Sequence, residues 1–282
     1  MSGSTDRAPH LTPTERADVG KAARERVPRK RQGTFEPSPD RPDPVSLLEE
    51  QERTRVPELL PLHHERMGAS AFAFYRGTAI VMATDLGSQP DSGLIVQLCG
   101  DAHLSNFGLY ASPDRVPVFD VNDFDETNPG PFEWDVKRLA CSFTLAARDN
   151  GFPESVATEA ATAAARQYRQ SMADYAMKGA LEVWYDRVDA RYFEDLIKSG
   201  GSEFSARKVR DTLDLAQQRT TWTAVRKLTA VVDGRRQFLD EPPILVRVPE
   251  DAMARVQMPT ALQGYLGTLL PDRRALLERY EV

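Results

Sequence analysis

The sequence predicts an α+β protein whose first part mixes helices and strands and whose chain is mostly helical after residue 130. Three observations carry this. Short apolar runs bounded by turn formers stand at 93-GLIVQLCGDAH-103 and 116-VPVFDVND-123, the pattern of buried strands. After 129-PGP-131, apolar residues recur at helical spacing at Trp134, Leu139, Phe143 and Ala146. An Ala-rich stretch over 154–178 then has the length and composition of a core helix.

Taken in order, residues 1–45 are polar, rich in Pro, Arg and Lys, and without apolar period, which predicts a disordered tail ahead of a domain over 46–282. A helix opens at Ser46, where Ser46 and Glu49 fit a capping box, and stops near Pro57. The aromatic and β-branched run 71-AFAFYRGTAIVMATDL-86 predicts a strand, or a short strand leading into a helix. The two apolar runs that follow are close in sequence, with a Ser-Pro-Asp turn at 112–114, and predict a hairpin. Beyond the Ala-rich helix come a helix over about 203–230, loop and short strand over 237–250, and an amphipathic helix over 259–280.

The chain has 282 residues with a formal net charge of −6, which argues against generic binding to nucleic acid or anionic membrane. Its two cysteines, Cys99 and Cys141, form no CxxC pair and read as small apolar core residues. No apolar leader opens the chain and no run is long enough to span a bilayer, so a cytoplasmic protein is expected.

The chemistry concentrates in residues 99–140, where six Asp, two Glu, three Asn and one His crowd the ends of the two apolar runs. Like charges held close repel, and buried carboxylates are costly unless paired or bound to a cation. Asp101 follows a strand and a glycine, so its carboxylate can project from a sharp turn. Asn106 lies five residues on, and Asp123 closes the second run. An Asn and an Asp on adjacent strand ends are the hard oxygen ligands that suit Mg²⁺ together with phosphate oxygens. A further carboxylate can orient or deprotonate a hydroxyl, which is the division of labour in phosphoryl transfer. Asp120 rivals Asp123 for the metal position because it also ends an apolar run. His103 is a candidate base or metal ligand, or a loop-shaping hydrogen-bond donor. Arg76 is a candidate phosphate clamp or salt-bridge partner, and Arg138 a partner for the acidic residues.

The order G-D-x-H-x-x-N, then a strand ending in Asp, then an Asp twelve residues on within 134-WDVKRLA-140, resembles the catalytic centre of aminoglycoside phosphotransferases and related kinase-like enzymes. The resemblance implies Asp101 as catalytic Asp, Asn106 and Asp123 as metal and cofactor ligands, and Asp135 as the residue that braces the catalytic loop. The family's His before Gly-Asp is Cys99 here. More closely, 65-ERMGASAFAFYRGTA-79 through 141-CSF-143 resembles a bacterial family called domain of unknown function 2252, nearly letter for letter over its motifs. Such proteins continue into a glycine-rich segment and a lysine-bearing strand, so the resemblance implies an incomplete, C-terminally truncated kinase-like lobe.

The function implied is an ATP- and Mg²⁺-dependent phosphotransferase acting on an unknown hydroxyl of a small-molecule or protein acceptor. A non-catalytic kinase-like remnant or nucleotide-binding protein is the alternative, because no glycine-rich phosphate loop occurs in these residues. A metallophosphoesterase, suggested by 101-DAH-103, is disfavoured because the chain's four histidines hardly suffice for a two-metal site.

Overall fold

A computed structural model describes residues 11–112, 114, 116–189, 192, 195, 207, 221–246 and 253–279. It is an α+β structure of helices and small antiparallel sheets. The chain divides into two compact units, residues 1–218 and 219–282.

The first unit begins earlier than the composition suggests. Helix α1, Pro13–Arg26, lies inside the stretch expected to be a disordered tail. Thr12 caps it and Glu15 returns a hydrogen bond, a capping box made by T-x-x-E that fixes the start of a helix with little apolar periodicity. Ala23 and Val27 are buried. Polar side chains tie the segment to later elements. Arg26 Nη1 donates to the Ser92 carbonyl (3.2 Å), Gln32 to Glu133 (3.3 Å), and Arg41 forms a two-pronged pair with Asp85. Low hydrophobicity thus understated order that comes from capping and long-range hydrogen bonds.

Helix α2, Pro44–Glu52, starts two residues before the expected capping box. Asp43 is the cap, accepting from Ser46 N at 2.9 Å, and Pro44 occupies the first turn, where its missing N–H costs nothing. Helix α3, Leu60–Met67, follows a short 3₁₀ turn. The run expected to hold a strand instead forms two short helices, α4 (Ala71–Arg76) and α5 (Ala79–Gly87). Ser70 caps α4 by accepting from Ala73 N (3.1 Å), and packing on the later helix α6 outweighs the β-propensity of Phe, Val and Ile.

The predicted strands exist, but their pairing differs from the expected hairpin. Strand β1, Ile95–Leu98, pairs antiparallel with β4, Asn128–Pro131, with Leu98 opposite Asn128. The second run, β3 (Pro117–Val121), pairs with β2 (Phe107–Ala111), which the sequence reading missed, with Phe107 opposite Val121. A two-residue strand β5, Val188–Asp189, completes that sheet on the other side of β3. The cause lies at Gly100, whose φ of +83° turns the chain out of β1 and separates it from β3 by the loop 99–106. A Cβ at Gly100 would stand 1.9 Å from the Glu126 carbonyl oxygen, so only glycine fits under the acidic loop.

Helices α6 (Glu133–Asp149) and α7 (Glu154–Tyr175) form where expected and pack along each other, but α7 is a surface helix rather than the core helix its composition suggests: Ala157 is its one buried residue, and Ala147 is buried on α6. A short helix α8, Ala180–Tyr185, precedes β5.

In the second unit, helix α9 (Thr221–Leu228) leads into a hairpin of β6 (Thr229–Val232) and β7 (Arg235–Phe238). Asp233 and Gly234 both take positive φ there, the two-residue turn that matches strand twist. Of the helix expected over about 203–230, most of 203–220 lies outside the described residues, 221–228 are helical, and the chain turns to strand at Thr229. The helix expected over 259–280 is two helices, α10 (Met253–Thr268) and α11 (Pro271–Leu277), divided at Leu269 and Leu270 because Pro271 favours a new first turn.

Candidate functional site

The site gathers around the loop 99–106, held from one side by α6. Three residues of that helix at i, i+3 and i+7 face the loop: Asp135, Arg138 and Ser142. The Asp135 carboxylate accepts from the backbone N–H of Cys99 (2.8 Å) and of Gly100 (3.2 Å). It also sits in the first turn of α6, where a negative charge complements the exposed amides. The Ser142 hydroxyl, fully buried, accepts from Leu104 N at 2.9 Å.

Arg138 completes the brace. Its Nε donates to Asp101 Oδ1 at 2.5 Å, and its Nη2 to the Tyr75 carbonyl at 2.9 Å. The guanidinium lies 4.5 Å from the centre of the Tyr75 ring, and the Tyr75 hydroxyl donates back to the Arg138 carbonyl (3.0 Å). Both charges are nearly dry, with side-chain exposures of 3% for Arg138 and 14% for Asp101. In that setting the planar fork is held by pairing and stacking at once.

His103 is buried beside them. Its Nδ1 accepts from Ser105 N at 3.1 Å, which puts the neutral ring's proton on Nε2, 3.5 Å from Asp101 Oδ2. Burial holds its pKa below the usual histidine value, helped by Arg138 and Arg76 and opposed by Asp101. Asn106 reaches back within the same loop, its Nδ2 donating to the Asp101 carbonyl at 2.9 Å, while its own carbonyl accepts from Asn122 N at 3.0 Å. That last bond sets the loop against the end of β3, next to Asp123.

The remaining charges divide into two groups. Asp123, Asp125 and Glu126 stand on the exposed loop after β3, which covers Gly100. Asp125 has a raised pKa, through burial first and then the charge of Asp123 and its hydrogen bond, with Asp101 adding to it. Glu126 is raised by burial, then by Asp125 and Asp101. The acids are therefore close enough to resist joint ionisation. Asp120 lies apart on β3, opposite Gly108, where its Oδ1 accepts from Val121 N (2.8 Å) and its field reaches Cys99 and Tyr110. Burial, with Asp135 and Asp120 nearby, pushes the Cys99 thiol up to about 11, as fits a packing residue. Arg76 ends α4, is exposed, acts on His103 electrostatically, and has no hydrogen-bond partner among the described residues.

Thus Asp101, His103, Asn106, Asp135 and Arg138 converge on one loop, with Asp123 and Arg76 at its edge and Asp120 off to the side. Among the described residues no three His, Cys, Asp or Glu side chains form a metal-binding cluster. Tyr75 and Ser142 were missed by sequence reasoning. Ser142 was findable, because it continues the stripe of Asp135 and Arg138 along α6. Tyr75 was hidden by the expectation of a strand at 71–86.

The chain belongs to the family described as uncharacterized protein conserved in bacteria (DUF2252), whose model matches residues 55–282. No curated protein and no solved structure matches it. No helix among the described residues is long and apolar enough to cross a membrane.

Proposed function

We propose that the chain is an ATP- and Mg²⁺-dependent phosphotransferase that acts on a hydroxyl acceptor. The reading rests on one observation above the others: Asp101 emerges from the end of β1 on a loop that α6 grips through two backbone amides and one buried ion pair. A carboxylate so placed keeps its position while substrates exchange, and phosphoryl transfer depends mostly on positioning and charge neutralisation.

In this scheme Asp101 orients the acceptor hydroxyl and takes its proton. Arg138 keeps one oxygen of Asp101 in place. His103, with both ring nitrogens directed within the loop, positions Asp101 rather than meeting substrate. Asn106 keeps its side-chain carbonyl oxygen for a cation, and Asp123 offers an exposed carboxylate beside it. One amide oxygen and one carboxylate is the sparse set that Mg²⁺ accepts, since it retains waters and takes phosphate oxygens. The ion, when bound, neutralises charge on the transferring phosphate. Asp123 suits this role better than Asp120, because Asp123 shares its electrostatic surroundings with Asp101 through Asp125. Arg76 has an open guanidinium fork for a phosphate. Asp135 holds the loop and touches no substrate.

Calorimetric titration of MgATP into the chain and into Asp123→Ala tests the proposal. Mg²⁺-dependent binding that is lost in the variant is expected. Absence of binding by the unaltered chain overturns the reading.

A further inference from the structure

A second face of α6 lines a cleft that takes no residue from the loop 99–106. The stripe Glu133, Val136, Lys137, Ala140 and Cys141 forms one wall. Helices α4, α5 and α7 and the segment after α1 form the others, enclosing about 1470 Å³. Typical small-ligand pockets hold about 300–1000 Å³, so this one has room for an extended molecule. Its lining is mainly apolar. Phe35, Phe74, Val96 and Met172 line it and remain between 43% and 50% exposed, although large apolar side chains gain by burial.

The cleft carries more positive than negative charge: Arg24, Arg29, Lys137 and Arg169 stand against Asp85, paired with Arg41, and Glu133, whose hydrogen-bond donors are all neutral and whose charge acts on Lys137 one turn away. Glu133 accepts from Ser92 N (2.7 Å), Ser92 Oγ (2.8 Å) and Gln32. Lys137, Arg24, Arg29 and Arg169 have no hydrogen-bond or ion-pair partner among the described residues. Lys137 is only partly exposed in the middle of the α6 stripe, and burial holds its pKa below the usual lysine value. Glu133, one turn back on α6, offsets part of that desolvation, but no acceptor lies within hydrogen-bond or ion-pair distance of the ammonium among the described residues. An apolar trough with such a cation in its wall, in a protein of net charge −6, complements a molecule with a long apolar body and one anionic end.

We infer that the cleft between α6, α7 and the segment after α1 binds a long-chain monocarboxylate, with Lys137 receiving the carboxylate and the Phe35–Phe74–Met172 walls the chain. The site is independent of the phosphotransferase reading, since it uses no residue of the loop 99–106. Tyr75 is shared as wall, its ring under Arg138, so occupancy is adjacent to the brace without entering it.

The test is binding of dodecanoate, below its micellar concentration, to the full chain by calorimetry, with 1-dodecanol as the uncharged control. Saturable binding of dodecanoate is expected, weakened about ten- to a hundredfold in Lys137→Gln, the range that a charge-assisted hydrogen bond supports. Dodecanol should bind alike to both proteins. Ala140→Phe, which fills the trough and keeps the ammonium, should weaken both ligands, with unchanged circular dichroism as the check on folding. No binding of dodecanoate, equal affinity of Lys137→Gln, or tighter binding of dodecanol than dodecanoate to the unaltered chain overturns the inference.

Discussion

Replacing Arg138 by Met removes a guanidinium while keeping much of its apolar length, and the consequences follow from its surroundings. The side chain is 3% exposed and donates to Asp101 and to the Tyr75 carbonyl. Without it, the Asp101 carboxylate, 14% exposed, keeps among the described residues only His103 at 3.5 Å, and the Tyr75 carbonyl loses a donor. Breaking one side of a buried ion pair costs about 3–5 kcal/mol, so the unfolding free energy should fall by that amount. Arg138→Lys should fall between the two, because an ammonium carries the charge but neither the fork nor the stacking on Tyr75. The decisive measurement is a double-mutant cycle with Asp101→Ala, read by urea denaturation. Each single variant leaves one buried charge alone and the double variant leaves none, so the two effects should overlap by about 2 kcal/mol. Additivity within about 0.5 kcal/mol would refute the pair as the element that holds the loop.

Three further outcomes are expected. Gly100→Ala should lose at least about 2 kcal/mol in the same denaturation assay, since positive φ alone costs about 1–2 kcal/mol and the new Cβ meets the Glu126 carbonyl. The acids separate by pH. Glu133 is pulled below its usual value of 4.5, because hydrogen bonds from its own N–H, Ser92 and Gln32 outweigh burial. It therefore contributes stability above that value, lost as pH falls through its folded pKa, and Glu133→Gln should remove this acid-side loss. Asp125 and Glu126 are raised, so their contribution is present at low pH and lost as pH rises through their folded values. Asp125→Asn with Glu126→Gln should therefore gain stability over the parent as pH goes from about 4 to about 7 in a denaturation series. Amide exchange in residues 122–127 should slow on adding Mg²⁺ as the acids acquire a counter-charge, and identical protection with and without the ion would count against cation binding there.

The site was more legible than the chain path that builds it. Asp101 and Asn106 could be placed because a strand end and a glycine are local signals, Arg138 because a cation after an acidic loop expects a carboxylate, and Asp135 because the motif order resembles a known catalytic centre. The pairing of β1 with β4 was not local. It depends on the turn at Gly100 and on a strand, Asn128–Pro131, whose composition reads as loop. Residues 71–87 failed for the opposite reason. Their aromatic and β-branched content is a strong strand signal, and packing on α6 overrides it. The helix Pro13–Arg26 shows a third kind of error, where mean polarity hides a specific capping box at Thr12 and Glu15.

The distribution of satisfied and unsatisfied charge separates scaffold from site. Asp135, Arg138, Glu133 and the ring nitrogens of His103 are directed at backbone amides, a carboxylate or a hydroxyl within the protein. Their removal should register as lost stability. Asp123, Asp125, Glu126 and Arg76 are exposed at the rim of the same loop. The three acids stand near one another and the cation lacks an acidic hydrogen-bond partner among the described residues. Under the proposed function, these acids and this arginine are the groups left to receive the cation and the phosphates of a metal–nucleotide complex.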